Sequence, residues 1–206
     1  MASELLLPLF PLEVVLLPGT ALPLHIFEER YKLMIGEAIE QQSEFGVVLA
    51  KENSLSNAGC TAVVEKVVRR YPDGRLDILT EGRRRFEVLF LDEQMPYLRA
   101  GVHFFEDEDQ GAPPRESVGR LADLLEKAVG FLAAPAEGSP APQEISNSFQ
   151  IAGVLPVDVE LKQRLLCLRS EPERVAVLIE HLQKLLPRLE RARRAERSAR
   201  GNGRGA

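Results

Sequence analysis

The chain has 206 residues, 45% of them hydrophobic and 6% aromatic, so it can form one large or two small domains with a core that needs no metal or cross-link. The segment from Lys184 to the C-terminus contains eight basic and two acidic residues, a net charge of +6. Since the net charge of the whole chain is −5, residues 1–183 carry −11. An acidic body is repelled by phosphate backbones, which disfavours nucleic acid as its partner.

The first predicted elements lie in an apolar segment, residues 5–27, whose one charged residue is Glu13. The segment is long enough to span a membrane. Prolines interrupt it, however, and each interior proline removes a helix hydrogen bond at a cost of about 3 kcal/mol, which lipid cannot compensate. It also lacks the positive charge and the cleavage site of a signal peptide. We expect short strands joined by proline turns, in a soluble cytoplasmic protein without membrane association.

An amphipathic helix follows and is predicted to end near Gln42. Its apolar face comprises Phe27, Tyr31, Met34, Ile35, Ala38 and Ile39.

Short strands follow the helix. Phe45–Ala50 and the valine-rich Thr61–Tyr71 are predicted strands, and the turn at Pro72-Asp73-Gly74 leads into a hairpin. Gly82 is predicted to break the returning strand, after which alternating apolar residues resume at Phe86, and a last strand covers Tyr97–Phe105. About six short strands with one helix and no repeated strand-helix alternation predict an α+β fold whose first part, residues 1–105, is a closed or half-closed antiparallel β-barrel.

The second half of the chain is predicted to be helical. Residues 106–116 have the composition of an acidic linker, residues 117–195 form a helical subdomain, and residues 196–206 form a disordered basic tail. Ser170 begins a capping box for the last long helix. The apolar face of that helix comprises Val175, Leu178, Ile179, Leu182, Leu185, Leu186 and Leu189.

No catalytic, cofactor or metal site is predicted. The three histidines, His25, His103 and His181, are scattered, and no cysteine or carboxylate joins them at metal-ligand spacing. The sequence has no G-x-S-x-G motif, and both cysteines, Cys60 and Cys167, lie in apolar runs typical of buried thiols in a reducing compartment. We therefore expect a protein that binds and does not catalyse.

The N-terminal string Leu7-Pro8-Leu9-Phe10-Pro11-Leu12, continued by Val15-Leu16-Leu17-Pro18-Gly19 and Leu22-Pro23-Leu24-His25-Ile26-Phe27-Glu28, resembles the start of the Lon N-terminal domain. Gly82-x-x-Arg85-Phe86 and Tyr97-x-x-Ala100 keep the order of later landmarks of that family. Since the sequence has no phosphate-loop motif and nothing resembling a protease domain, the resemblance implies a free-standing member without ATPase or protease modules.

This resemblance implies a PUA-like β-barrel followed by a helical bundle, and a role in recognising unfolded or damaged polypeptides or as an adaptor. It also implies a set of signature residues with structural roles: Pro11, Pro18, Gly19, Pro23, Phe27, Glu28, Arg30, Tyr31, Gly82, Arg85 and Phe86. Among them, Arg30 is expected to pair with an acid elsewhere and fix the first helix to the barrel, and Arg85 to pair with a carboxylate.

A module that recognises unfolded polypeptide needs an exposed apolar groove beside unpaired strand-edge groups. We expect this groove between the first helix and strand Thr61–Tyr71, with the loop Lys51–Ala58 at its rim. The predicted contact residues are Tyr31, Met34, Ile35, Val63, Val67, Arg83 and Arg84. Two alternatives remain open: an RNA-binding module that uses the Arg-rich tail, and an interaction scaffold that docks through the long C-terminal helix.

Overall fold

The computed structural model describes residues 6–51, 54–109, 111–131 and 147–202. The described residues form six strands and five helices. In chain order these are β1 (Leu7–Leu12), β2 (Ala21–Ile26), α1 (Glu29–Gln41), β3 (Phe45–Lys51), β4 (Ser54–Arg70), β5 (Leu76–Asp92), β6 (Arg99–Phe105), α2 (Arg115–Val129), α3 (Ser148–Val154), α4 (Val159–Cys167) and α5 (Glu171–Asn202).

Five of the strands close into a ring. Neighbours along the ring are β1, β3, β4, β5 and β6, and β6 returns to β1 through the pair Leu7↔Ala100. β2 lies outside the ring, beside the first half of β5, because β6 occupies the same edge of β5 from Arg85 to Asp92. The predicted α+β fold, a barrel with one helix followed by a helical bundle, is confirmed. The sheet is mixed and not wholly antiparallel, since β1 and β3 run parallel.

The prediction that Gly82 breaks a strand is wrong, because β5 continues through it. The backbone N–H of Gly82 donates to the Thr20 carbonyl at 3.0 Å, and the N–H of Gly19 donates to the Gly82 carbonyl at 2.9 Å. A Cβ atom at Gly82 would lie 2.2 Å from the carbonyl oxygen of Leu17. Glycine is therefore required here because the turn before β2 crosses the strand at backbone contact distance.

The first helix buries the predicted face, with Met34 and Ile35 at 1% and 0% exposure. Phe27 does not belong to that face and is 59% exposed. The helix begins only at Glu29, and the preceding Glu28 is an N-cap in extended conformation. Phe27 consequently lies outside the helical repeat that the sequence pattern assigned to it.

The prediction of a loop over Lys51–Ala58 is also wrong for the described residues of that range. β4 begins at Ser54, which pairs with Lys51 of β3, and continues as a strand through Ala58. Residues 58–62 are buried. Since β4 extends past Phe45, where β3 begins, its second half pairs with β5 alone among the described strands.

The helical half is organised around α5, whose predicted apolar face is largely buried and packs against α2. As predicted, Ser170 caps α5, accepting from the N–H of Glu173 at 3.4 Å. The helix extends to Asn202, into the segment 196–206 that the sequence analysis assigned to a disordered tail, and residues 203–206 lie outside the described part. Cys167, predicted to be buried, is exposed at the end of α4.

The segment predicted as a linker, residues 106–116, anchors the barrel to the helices. Arg85 of β5 donates to Asp107 Oδ1 at 2.6 Å, and Arg174 of α5 donates to the same oxygen at 2.8 Å. Arg174 also binds Glu171 and the Ser148 hydroxyl. Asp107 is thus the shared acceptor of two nearly fully buried guanidinium groups, one from each half of the chain.

No helix among the described residues is both long and apolar enough to cross a membrane.

Candidate functional site

Two cavities lie around the C-terminal end of α1. The first, about 480 Å³, separates α1 from the second half of β4. Three of the predicted contact residues line it: Val63, Val67 and Arg83.

The second cavity, about 510 Å³, lies on the other side of the same helix end, against β1 and β6. It is lined by Leu7 and Pro8 from β1, by Tyr97, Val102 and Phe104 from β6 and the segment before it, and by Met34 and Arg84 among others. Met34 is 1% exposed, so it contributes only to the floor of the cavity.

Ala38, Gln42 and Ser43 line both cavities. Gln42 takes a left-handed conformation with φ 50°, and the N–H of Ser43 donates to the Ala38 carbonyl at 3.0 Å, which turns the chain sharply away from the helix. The two cavities therefore share the wall that this turn forms, and we refer to them together as the α1 groove.

The first cavity follows an unpaired strand edge. The pairing of β3 with β4 stops at Phe45↔Ala62, whereas β4 pairs with β5 on its other side as far as Arg70↔Leu76. Among the described residues, none pairs with the α1 side of β4 from Val63 to Arg70. This edge offers main-chain donors and acceptors to an added strand.

The rim of the groove carries charges of both signs, and most of them are paired. Arg83 donates to Glu65 at 2.6 Å and lies 3.1 Å from Glu81. Arg84 binds Glu44 at 2.9 Å and stacks over the ring of Phe104, with its guanidinium carbon 3.9 Å from the ring centroid. Both Arg83 and Arg84 are therefore neutralised by a neighbouring glutamate.

Tyr97 closes the second cavity against α1. Its hydroxyl donates to Glu37 at 2.5 Å. Burial, together with the hydrogen bond to Glu37 and its negative charge, raises the pKa of Tyr97 to about 12, so the hydroxyl stays protonated and keeps this contact throughout the neutral range.

Two predicted contact residues lie elsewhere. Ile35 is fully buried in the core. Tyr31 is 7% exposed and packs on Phe10, with the ring centroids 4.2 Å apart, at a separate cavity between β1 and β2. The prediction that both face the groove is wrong, because the helix presents Ala38 and Gln42 there and turns its central residues inward.

Several signature residues have contacts that explain a structural role. Gly19 and Gly82 form hydrogen bonds through their backbones. Phe86 is fully buried against Gly59, where a Cβ atom would lie 2.5 Å from the ring. Pro11, Pro18 and Pro23 lie in β1, in the turn after it and in β2.

Arg30 and Arg85 take different kinds of partner. Arg30 pairs with Glu28, two residues away, and both are exposed, so the predicted anchoring of the helix to the barrel is wrong. Arg85 does bind a carboxylate, that of Asp107, and also donates to the carbonyls of Leu166 and Leu168.

The sequence did not identify Gln42, Glu44, Tyr97 or Phe104 as groove residues. Tyr97 was visible only as a landmark of the resembled family. No local pattern could have placed a residue of β6 opposite α1, since that contact follows from closure of the barrel.

Neither a reactive thiol nor a group of metal ligands is found at this groove among the described residues. Burial raises the pKa of the Cys60 thiol to about 12. Among the described residues, no three or more histidine, cysteine, aspartate or glutamate side chains are grouped so as to hold a metal ion.

Comparison with known proteins gives consistent relatives. A Lon protease of Parabacteroides distasonis is 34% identical over 140 residues, which cover 63% of this chain and 17% of that protein. A Lon protease of Cytophaga hutchinsonii is 25% identical over 200 residues, covering 89% of this chain and 25% of that protein. The chain thus spans a quarter or less of the length of these relatives.

Solved structures agree on the fold. A Lon N-terminal domain protein from Xanthomonas campestris superposes with a TM-score of 0.67 at 26% identity, covering 85% of this chain and 97% of that one. The N-terminal domain of a Mycobacterium avium complex Lon protease gives a TM-score of 0.62 at 18% identity, covering 86% and 98%. The family model of the ATP-dependent protease La (Lon) substrate-binding domain matches residues 6–184, and the chain belongs to this family.

Proposed function

We propose that this chain is a non-catalytic recognition module that binds unfolded or partly folded polypeptide segments in the α1 groove. The observation that carries the proposal is the turn at Ser43, which forms a wall shared by two cavities of about 480 and 510 Å³, the first of them beside an unpaired strand edge. Membership in a substrate-binding domain family supports it.

An extended segment would bind in two ways at once. Its main chain would pair with the free edge of β4, and its side chains would enter the apolar cavities on either side of the α1 end. The register of β4 against β5 shifts between Val64 and Lys66 and again between Val67 and Arg69. These irregularities keep regular pairing short, so the side-chain cavities would contribute most of the affinity, and the sequence preference would be broad.

The proposal is tested by a bulky substitution in the shared wall. Ser43 is partly buried and lines both cavities, so Ser43→Trp adds a large ring to the wall between them. Val118→Trp is the matched control, because it adds the same ring at a 48% exposed position of α2. Binding is measured by fluorescence anisotropy with a labelled, carboxymethylated model polypeptide that cannot fold.

We expect Ser43→Trp to weaken binding at least about tenfold, equivalent to roughly 1.4 kcal/mol, and Val118→Trp to leave it unchanged. Equal affinity of the two variants, or no binding by the parent chain, would contradict the proposal.

A second candidate is docking on a single folded partner through α5. Its favouring observation is that residues 190–195 of this helix are all exposed, and three of them are arginines, Arg191, Arg193 and Arg194. Replacing these arginines by glutamate should abolish such docking and leave polypeptide binding intact. If the same variant lost salt-dependent binding of structured RNA, the arginines would be serving an RNA-binding role.

A further inference from the structure

A smaller cavity of about 200 Å³ lies between the barrel and the helical half, away from the α1 groove. Its walls are mostly apolar. They include Val15, Leu17 and Leu22 on the barrel side, Val154 and Val157 on the helical side, and Lys162 of α4. Among the described residues lining it, Lys162 supplies the one charged side chain.

Lys162 differs from the other described lysines. Lys32, Lys51 and Lys184 each form an ion pair with a glutamate, whereas Lys66 and Lys127 are exposed. Lys162 is partly buried, and within the described part of the chain its ammonium group has neither an ion-pair nor a hydrogen-bond partner. Burial lowers the pKa of Lys162 below its ordinary value.

A partly buried ammonium group without a counter-ion is costly, because it has lost part of its hydration and gained no ion pair. A carboxylate entering the cavity would supply that charge and accept a charge-assisted hydrogen bond. The valine and leucine walls would bury whatever apolar group carries the carboxylate. Drug-sized ligands occupy roughly 300–1,000 Å³, so a cavity of this volume accommodates a group of about one amino-acid side chain.

We propose that this cavity is a binding site for a carboxylate attached to a small branched apolar group, with Lys162 as its ionic partner. Two sources share this chemistry: the C-terminal residue of a polypeptide and a free short-chain acid. The site goes beyond the α1 groove and does not depend on it, since the two are lined by different residues.

The test titrates the ¹⁵N-labelled full chain with three ligands and follows the backbone amide signals of Val154, Val157 and Lys162. N-acetyl-leucine presents a peptide-like C-terminus, N-acetyl-leucinamide is the same molecule without the carboxylate, and isovalerate is a free branched acid. We expect saturable shifts with N-acetyl-leucine and binding at least about tenfold weaker with the amide, as for the loss of one charge-assisted contact. Isovalerate binding as tightly as N-acetyl-leucine assigns the site to free acids, and weaker binding assigns it to polypeptide C-termini.

Variants of the lysine complete the test. Lys162→Met keeps the apolar stem and removes the charge, so it should weaken N-acetyl-leucine binding at least about tenfold. Lys162→Arg should retain binding, and the control Lys184→Met, at an exposed lysine of α5, should not change it.

Equal binding of acid and amide, no binding of either acid, or an unchanged affinity in Lys162→Met would overturn the proposal. If Lys162→Met does not fold, the comparison of acid with amide on the parent chain still decides it. Because Ser43→Trp tests the α1 groove separately, failure of one site is distinguishable from failure of the other.

Discussion

Asp107→Asn is the substitution expected to reveal most about how the two halves of the chain are joined. Asp107 accepts hydrogen bonds from Arg85 and Arg174, whose side chains are only 6% and 3% exposed. Asparagine keeps the shape of the side chain and removes its charge. Both guanidinium groups would then remain buried with less opposing charge.

The magnitude follows from which contacts survive. Removing one partner of a buried ion pair typically costs about 3–5 kcal/mol. Here Arg174 keeps its pair with Glu171, Arg85 keeps the Leu168 carbonyl at 2.6 Å, and the Asp107 side chain is itself 24% exposed. We therefore expect a loss of about 2–3 kcal/mol in the free energy of unfolding, reduced from the range for fully buried pairs.

Urea denaturation followed by circular dichroism measures this loss. Asp73→Asn is the matched control, since Asp73 pairs with Arg75 at an exposed turn and this substitution should leave the free energy of unfolding nearly unchanged. If Asp107→Asn unfolded within about 0.5 kcal/mol of the parent chain, the reasoning that this buried pair holds the two halves together would be refuted.

The Asp107 carboxylate is also expected to make the stability of the fold depend on pH in the acid range. Burial by itself would raise the pKa of Asp107, but hydrogen bonds and positive charge from Arg174 and Arg85 outweigh it and hold the pKa below its ordinary value. A carboxyl group whose pKa is lower in the folded state contributes stability above its unfolded pKa, about 4, and this stability is lost as the pH falls through the folded value. Asp107→Asn should remove this part of the acid-induced loss of stability.

Two further predictions concern buried backbone and thiols. Gly82→Ala should destabilise the fold by about 2 kcal/mol or more, because the new Cβ atom would lie 2.2 Å from the Leu17 carbonyl oxygen. The same urea denaturation assay measures this loss, and an unchanged midpoint would exclude that close approach. A thiol reagent should modify the exposed Cys167 in the native protein. Cys60 is fully buried and its pKa is raised to about 12, so it should react only on unfolding. Equal reaction rates of the two thiols in the native protein would contradict this burial.

The sequence predicted the elements whose evidence is local. The apolar spacing of Met34, Ile35 and Ala38 placed α1 correctly, and Ser170 marked the start of α5, because helix periodicity and capping depend on residues within one or two turns. The absence of a strand-helix repeat led to a barrel followed by helices, and the N-terminal string led to the family.

Other predictions failed where a distant partner decides the outcome. Gly82 was assigned to a strand break because glycine often interrupts strands, yet it allows the turn near Leu17 to cross an unbroken strand. Residues 106–116 had the composition of a linker, but Asp107 lies between two arginines separated from it by 22 and 67 residues. Composition cannot distinguish an acidic segment in solvent from one that is paired.

The sequence alone therefore determined the fold class, the positions of the main helices and the family. The tertiary structure decided which part of α1 reaches the surface, that the free edge of β4 lies beside it, and that Lys162 lines a mostly apolar cavity without an ion-pair partner among the described residues. The physical reason is that periodicity and capping are energies of neighbouring residues, whereas a groove or a buried charge is defined by surfaces that meet only after the barrel closes and the helices pack against it.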